Sequence, residues 1–141
     1  MSLQNDKINF LTREDVLLIH KSVLNDGEDD TVLNMLVKSK AKIITSMLES
    51  ALYQPQATFD GKYLYENICE MAAAYLFSFA RDHAFFTANK RVAHSTCSIF
   101  LQRNNHRLLL DNNEACDLTL KCAAGEYSKE DVIRIIGENI A

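Results

Sequence analysis

The sequence predicts an all-α domain carrying one small β-hairpin. Three observations predict it. Only one proline and four glycines interrupt 141 residues, and a chain so poor in breakers favours long helices over a many-turned β fold. Apolar residues recur at helical spacing along most of the length. One stretch alone, ending in Asp60-Gly61, carries a hairpin turn signal.

Taken in order, Thr12 followed by Arg13-Glu14-Asp15 reads as a helix start, with a capping hydroxyl and acids in the first turn. Val16, Ile19 or His20, and Val23 continue it. Asn25 to Asp30 is a polar break, read as a solvated loop because a calcium loop needs alternating ligands over about twelve residues. A second helical stretch covers Thr31 to Leu52, with Ile43, Ile44, Met47, Leu48 and Ala51 as its apolar stripe. Pro55 stops it. Gln56, Ala57, Thr58 and Phe59 read as extended, and Asp60-Gly61 turns the chain back toward Lys62. A long helix from Leu64 to Arg81 is apolar nearly all round between Met71 and Ala80, so it is expected at the centre. Another runs from Ala88 to Asn104, and Leu108-Leu109-Leu110 is an apolar link. Asp111 or Asn112 caps a helix to Ala124, with Gly125 just past its end. Ser128-Lys129-Glu130-Asp131 resembles a capping box, with Asp in place of the usual Glu or Gln, and opens the last helix.

Hydrophobic residues make up 48% and charged residues 24%, an ordinary globular balance that argues against disorder. The length suits one domain, residues 1–141. A formal net charge of −4 weighs against nucleic-acid binding, which needs basic charge to replace counterions. No apolar run approaches the roughly 20 residues of a membrane helix, and the N-terminus lacks a charged-then-apolar leader, so a cytoplasmic protein is expected. Cys69, Cys97, Cys116 and Cys122 form no C-x-x-C pair and are expected to be buried reduced thiols. The four histidines show no zinc spacing.

Chemistry concentrates between the central helix and the next, at Arg81-Asp82-His83-Ala84-Phe85-Phe86-Thr87-Ala88-Asn89-Lys90-Arg91. A helix beginning near Ala88 presents unpaired N–H groups and the positive end of its dipole, both of which favour an anion. Lys90 and Arg91 oppose that dipole in an isolated helix but suit one that holds phosphate. His83 stands just before, with a pKa range suited to a base near neutrality. A helix-ending histidine and two surface cations would give the same pattern, and spacing alone leaves both readings open.

His83 to Arg91 resembles the signature of the Fic/Doc family, H-x-F-x-(D/N)-(A/G)-N-(K/G)-R, in the form with lysine before the arginine that marks the Doc toxins. The resemblance extends to Leu48-Glu49-Ser50-Ala51-Leu52 and Pro55 to Phe59, to Phe100-Leu101-Gln102-Arg103-Asn104, and to Ala115 to Glu126, so it covers about Phe10 to Gly137. It implies a Fic-like helical domain with a small β-hairpin flap. The activity it implies is transfer from ATP to a protein hydroxyl. Phosphoryl transfer is favoured over AMP transfer because position 90 is lysine.

In family terms His83 is the base, and Phe85 is an apolar anchor. Thr87, Ala88, Asn89, Lys90 and Arg91 hold the nucleotide. Gln56, Ala57, Thr58, Phe59, Asp60, Gly61 and Lys62 form a flap that holds the target segment by strand addition. The implied partners are a separate antitoxin protein and a target protein, which in the Doc branch is a translation factor; ATP and Mg2+ are the implied cofactors. One departure matters. The family's acidic magnesium ligand is Thr87 here, a neutral and weaker oxygen ligand. It supports an alternative, a catalytically weakened or inactive Fic-fold binding module. Thr45 to Ser50 loosely fits the family's inhibitory (S/T)-x-x-x-E-(G/N) motif but is read as ordinary pre-flap helix, so regulation falls to a separate antitoxin.

Overall fold

A computed structural model of the chain describes residues 7–25, 47–82 and 89–141. The described elements are α1 (Arg13–Asn25), α2 (residues 47–53), a 3-10 turn (Gln54–Gln56), β1 (Thr58–Phe59), β2 (Lys62–Tyr63), α3 (Ile68–Asp82), α4 (Asn89–Arg103), α5 (Asn112–Ala123) and α6 (Lys129–Glu138). The all-α reading with one hairpin is therefore what the described residues adopt. Most of the helix expected over Thr31 to Leu52, and the polar break before it, lie outside the described residues.

α3 is the centre, as its all-round apolar run predicts: Met71 to Leu76, Phe79 and Ala80 are all buried. It packs against α4, α5, α6 and the 3-10 turn. Its start differs from the sequence reading by one turn. The Leu64 N–H is engaged by the Ala57 carbonyl at 2.9 Å, which prolongs the hairpin ladder past β2. The helix begins only where Asn67 caps it, its Oδ1 accepting the Glu70 N–H at 2.8 Å. The Glu70 carboxylate in turn accepts the Glu66 N–H at 2.7 Å.

The starts of α1, α5 and α6 are fixed locally. Thr12 Oγ1 accepts the Asp15 N–H at 3.2 Å and Asp15 Oδ2 accepts the Thr12 N–H at 2.8 Å. Asp111 and Glu114 make the same reciprocal pair on α5, and Ser128 and Asp131 on α6. α5 ends with Gly125 at φ +82, its N–H on the Cys122 carbonyl and that of Glu126 on the Lys121 carbonyl, the pattern of a Schellman cap. The Leu108 link is more than a connection: it forms an antiparallel bridge with Ile140.

The hairpin pairs Thr58 with Tyr63 and Phe59 with Lys62. Asp60 (φ 54) and Gly61 (φ 76) both take the positive φ that a two-residue type I′ turn requires. Gln56 is corrected: it belongs to the 3-10 turn Gln54–Gln56, which holds Pro55 in its first positions and which the Ala57 N–H closes on the Gln54 carbonyl. The extended segment begins at Ala57. The cysteine reading is corrected in part. All four thiols are free, and Cys97 and Cys122 are buried, but Cys69 is half-buried and Cys116 is exposed.

Two of the contacts that tie the N-terminal segment to the bundle are centred on Tyr75 and Arg103. Tyr75, fully buried and in ring contact with Phe100 at 4.9 Å, accepts the Leu11 N–H on its hydroxyl at 3.2 Å. Burial pushes the Tyr75 phenol pKa up to about 12. Tyr75→Phe strips a buried N–H of its acceptor, and is expected to cost about 1–3 kcal/mol, read as a lower urea midpoint at unchanged slope.

Arg103, at the end of α4, clasps Asp15 with two hydrogen bonds of 2.6 and 2.9 Å. The Arg103 guanidinium holds the Asp15 carboxyl well below the usual carboxylate range; partial burial opposes this and Thr12 reinforces it. A depressed carboxylate pKa gives stability that is complete above the unfolded value, near 4, and is lost as pH falls below it. The wild type is thus expected to lose more thermal stability between about pH 6 and pH 3 than Asp15→Asn does.

Candidate functional site

The helix that follows the motif opens as the sequence predicts. Asn89 is the first residue of α4, and Lys90 and Arg91 occupy its first turn, both exposed. His83, Ala84, Phe85, Phe86, Thr87 and Ala88 lie outside the described residues, so the proposed base, the Thr87 oxygen and the Ala88 amide do too. Two cations at a helix N-terminus oppose the dipole, and that arrangement is favourable only with negative charge nearby.

Beside this turn lies a cavity of about 540 Å³, enclosed by α1, α4 and α5. Lys90, Arg91, His94 and Ser95 line it from α4; Asn112, Asn113, Cys116 and Thr119 line it from α5. One wall is thus cationic and the other rich in amide and hydroxyl groups, a lining suited to a polar, anionic ligand.

Arg91 does a second job. Its Nη1 donates to the Val23 carbonyl at 3.3 Å, in the last turn of α1. Helix ends leave carbonyls unpaired, and a cation there is favourable. The guanidinium has five N–H donors, so one bond to Val23 leaves most of the fork for an anion.

His94 was not singled out by the sequence reading. It lies one turn past Lys90 on the same helix face, which is the signal that would have found it. It is half-buried, and burial lowers its pKa, which favours the neutral imidazole, a form able both to donate and to accept. Asn112 and Asn113 were missed as site residues because α5 reaches the cavity only through tertiary packing, and Ser95, beside His94 on α4, was missed with it.

The flap residues form a separate feature. Thr58, Phe59, Asp60, Gly61 and Lys62 are exposed, Phe59 at 76%, and Gln56 and Ala57 are half-buried at the root. None of them lines the cavity. The hairpin is a two-stranded sheet, and among the described residues no third strand pairs with it. Among the described residues no group of three or more His, Cys, Asp or Glu is placed to hold a metal. No described helix is long and apolar enough to cross a membrane.

A bundle around a buried central helix, a hairpin before it and an N–K–R turn after it define the Fic architecture. The model of the Fic/DOC family matches residues 10–101, and the chain belongs to that family. Protein kinase doc of Escherichia phage P1 is 42% identical over 66 residues, 47% of this chain and 52% of that protein. Toxin Doc of Mycolicibacterium smegmatis is 40% identical over 65 residues, 46% of this chain and 50% of that protein. The chain spans about half the length of these curated relatives. α5 and α6 lie beyond the residues that the family model matches.

Proposed function

We propose that this chain is a Doc-like toxin: a nucleotide-dependent transferase of the cytoplasm that modifies a protein hydroxyl and is neutralised by a separate antitoxin. The observation that carries the reading is the Asn89-Lys90-Arg91 turn opening α4 beside a cationic cavity, in a chain of the Fic/DOC family. The relative named as a protein kinase supports phosphoryl transfer, as does lysine at position 90, and the relative named as a toxin supports the toxin role.

In this reading the α4 amides, Asn89, Lys90 and Arg91 hold the phosphates of ATP. The hairpin, with unpaired edges and Phe59 at its tip, holds the target segment extended. His83 removes the proton as the target hydroxyl oxygen attacks the γ-phosphorus. The bond from that phosphorus to the β–γ bridging oxygen breaks, ADP leaves, and the target carries a phosphate ester. Such a transfer relies on positioning and charge neutralisation more than on covalent chemistry from the protein. Lys90 and Arg91 fit that need. Magnesium supplies further neutralisation when it arrives on the nucleotide phosphates; from this chain Thr87 would offer it a neutral hydroxyl.

Thr87 also carries the second reading, a Fic-fold binding module with catalysis weakened or lost. One experiment separates the two. ATP labelled on the γ or the α phosphate is incubated with the protein and a cell lysate. Label from the γ position on a lysate protein supports the kinase, and label from the α position supports an AMP transferase. Thr87→Asp, which restores a charged oxygen ligand, is expected to lower the magnesium concentration needed for half-maximal activity. If neither protein transfers label at saturating magnesium, the binding-module reading replaces the enzyme.

A further inference from the structure

Tyr65 ties the root of the hairpin to the 3-10 turn and to α6. It lies two positions past β2 and is only 9% exposed. Its hydroxyl accepts Gln54 Nε2 at 2.9 Å from the 3-10 turn that enters the hairpin. The same oxygen accepts Lys129 Nζ at 2.7 Å from the first residue of α6. Both roots of the hairpin and a distant helix thus meet at one phenol oxygen. The ammonium stands 5.3 Å from the Tyr65 ring centre, beyond the hydroxyl, so this contact is a hydrogen bond at the ring's edge. It is also 5.5 Å from the centre of the Phe77 ring on α3.

Lys129 is poorly placed for α6 itself, since a cation in the first turn opposes the dipole. α6 is anchored without it, by Val132 and Ile136 in the core and by the Ser128–Asp131 capping box. The hairpin, in contrast, has two-residue strands and an exposed tip, and an isolated hairpin of this kind is marginal in water. Its pose therefore depends on its roots: the Phe10–Tyr63 ring contact at 5.7 Å and the Tyr65 hydroxyl.

We infer that Lys129 and Tyr65 are positioning residues that hold the hairpin ready for a protein strand, so that α6 sets the affinity of the flap for its target. The target-affinity half of this inference rests on the proposed flap role; the hairpin half does not. The test uses Lys129→Met, which keeps an apolar stem of similar length, Lys129→Arg, which keeps a cationic donor, and Tyr65→Phe, which keeps the ring. Hydrogen exchange at the Leu64 amide, which bonds the Ala57 carbonyl, is expected to rise roughly 5–30-fold in Lys129→Met and Tyr65→Phe, the scale of a loss of about 1–2 kcal/mol. Exchange in α3 is expected to stay unchanged, and Lys129→Arg to restore the hairpin. In the transfer assay, Lys129→Met is expected to raise the KM for target by a similar factor, with kcat and the KM for ATP unchanged. Unchanged hairpin exchange in both variants, or equal acceleration in α3, overturns the inference whether or not the chain transfers phosphate. A wild type without transfer activity, with hairpin exchange behaving as expected, removes the proposed function and leaves the brace standing.

Discussion

His83→Ala is expected to lower transfer to protein by roughly 10²–10⁴-fold, the range that a positioned general base supplies. Nucleotide affinity is expected to stay within about twofold, because in the proposed site the base acts on the hydroxyl proton in the chemical step and α4 holds the phosphates. The two readouts are single-turnover transfer of γ-label and equilibrium binding of ATP. In cells, growth arrest by the natural chain should vanish in the variant. A His83→Ala protein that still transfers label at the natural rate would assign the base to another group. The imidazole of His94, lining the cavity next to Lys90, would then be the first to examine. A variant that loses nucleotide affinity as well would place His83 on the phosphates instead.

Local sequence rules sufficed where a feature is made by neighbours in the chain. Asp60-Gly61 dictated the turn because two adjacent residues must take positive φ. Ser128 and Asp131 made the capping box with Asp in the Glu position, since the shorter carboxylate still reaches the Ser128 N–H at 2.9 Å. Met71 to Ala80 had to be central, because no helix face was polar enough to meet water. The position of Lys90 and Arg91 in a first turn followed from the same kind of rule.

What sequence rules missed is long-range. The Arg91–Val23 bond spans 68 positions and the Lys129–Tyr65 bond 64. No periodicity announces either, and both decide what a functional residue does. The start of α3 was misplaced because Leu64 has an ordinary helical side chain while its N–H serves the hairpin. Cys116 was expected to be buried by residue type, but it sits on the cavity side of α5, where Ala115, Leu118 and Cys122 already fill the core-facing positions. The candidate site was thus legible as a motif and a helix N-terminus, and the cavity's second wall was not.

Arg91 combines both levels, and its replacement is the sharpest test of the site. Arg91→Ala is expected to weaken ATP binding by about 1.5–3 kcal/mol, the scale of a charge-assisted hydrogen bond to phosphate, which is roughly 10–150-fold in Kd. It also removes the donor to the Val23 carbonyl, but the Arg91 side chain is exposed and water can replace it, so stability is expected to fall by under about 1 kcal/mol. The two effects separate by measuring ATP affinity at a temperature well below the melting transition. Arg91→Lys keeps the charge but loses the planar fork, and is expected to fall between the natural chain and Arg91→Ala in affinity. The affinity loss should shrink as salt is raised, because an exposed cation–phosphate contact is screened. If ATP affinity is unchanged in Arg91→Ala while the melting temperature drops, Arg91 is a strut between α4 and α1. The phosphates are then held by Lys90 and the α4 amides alone.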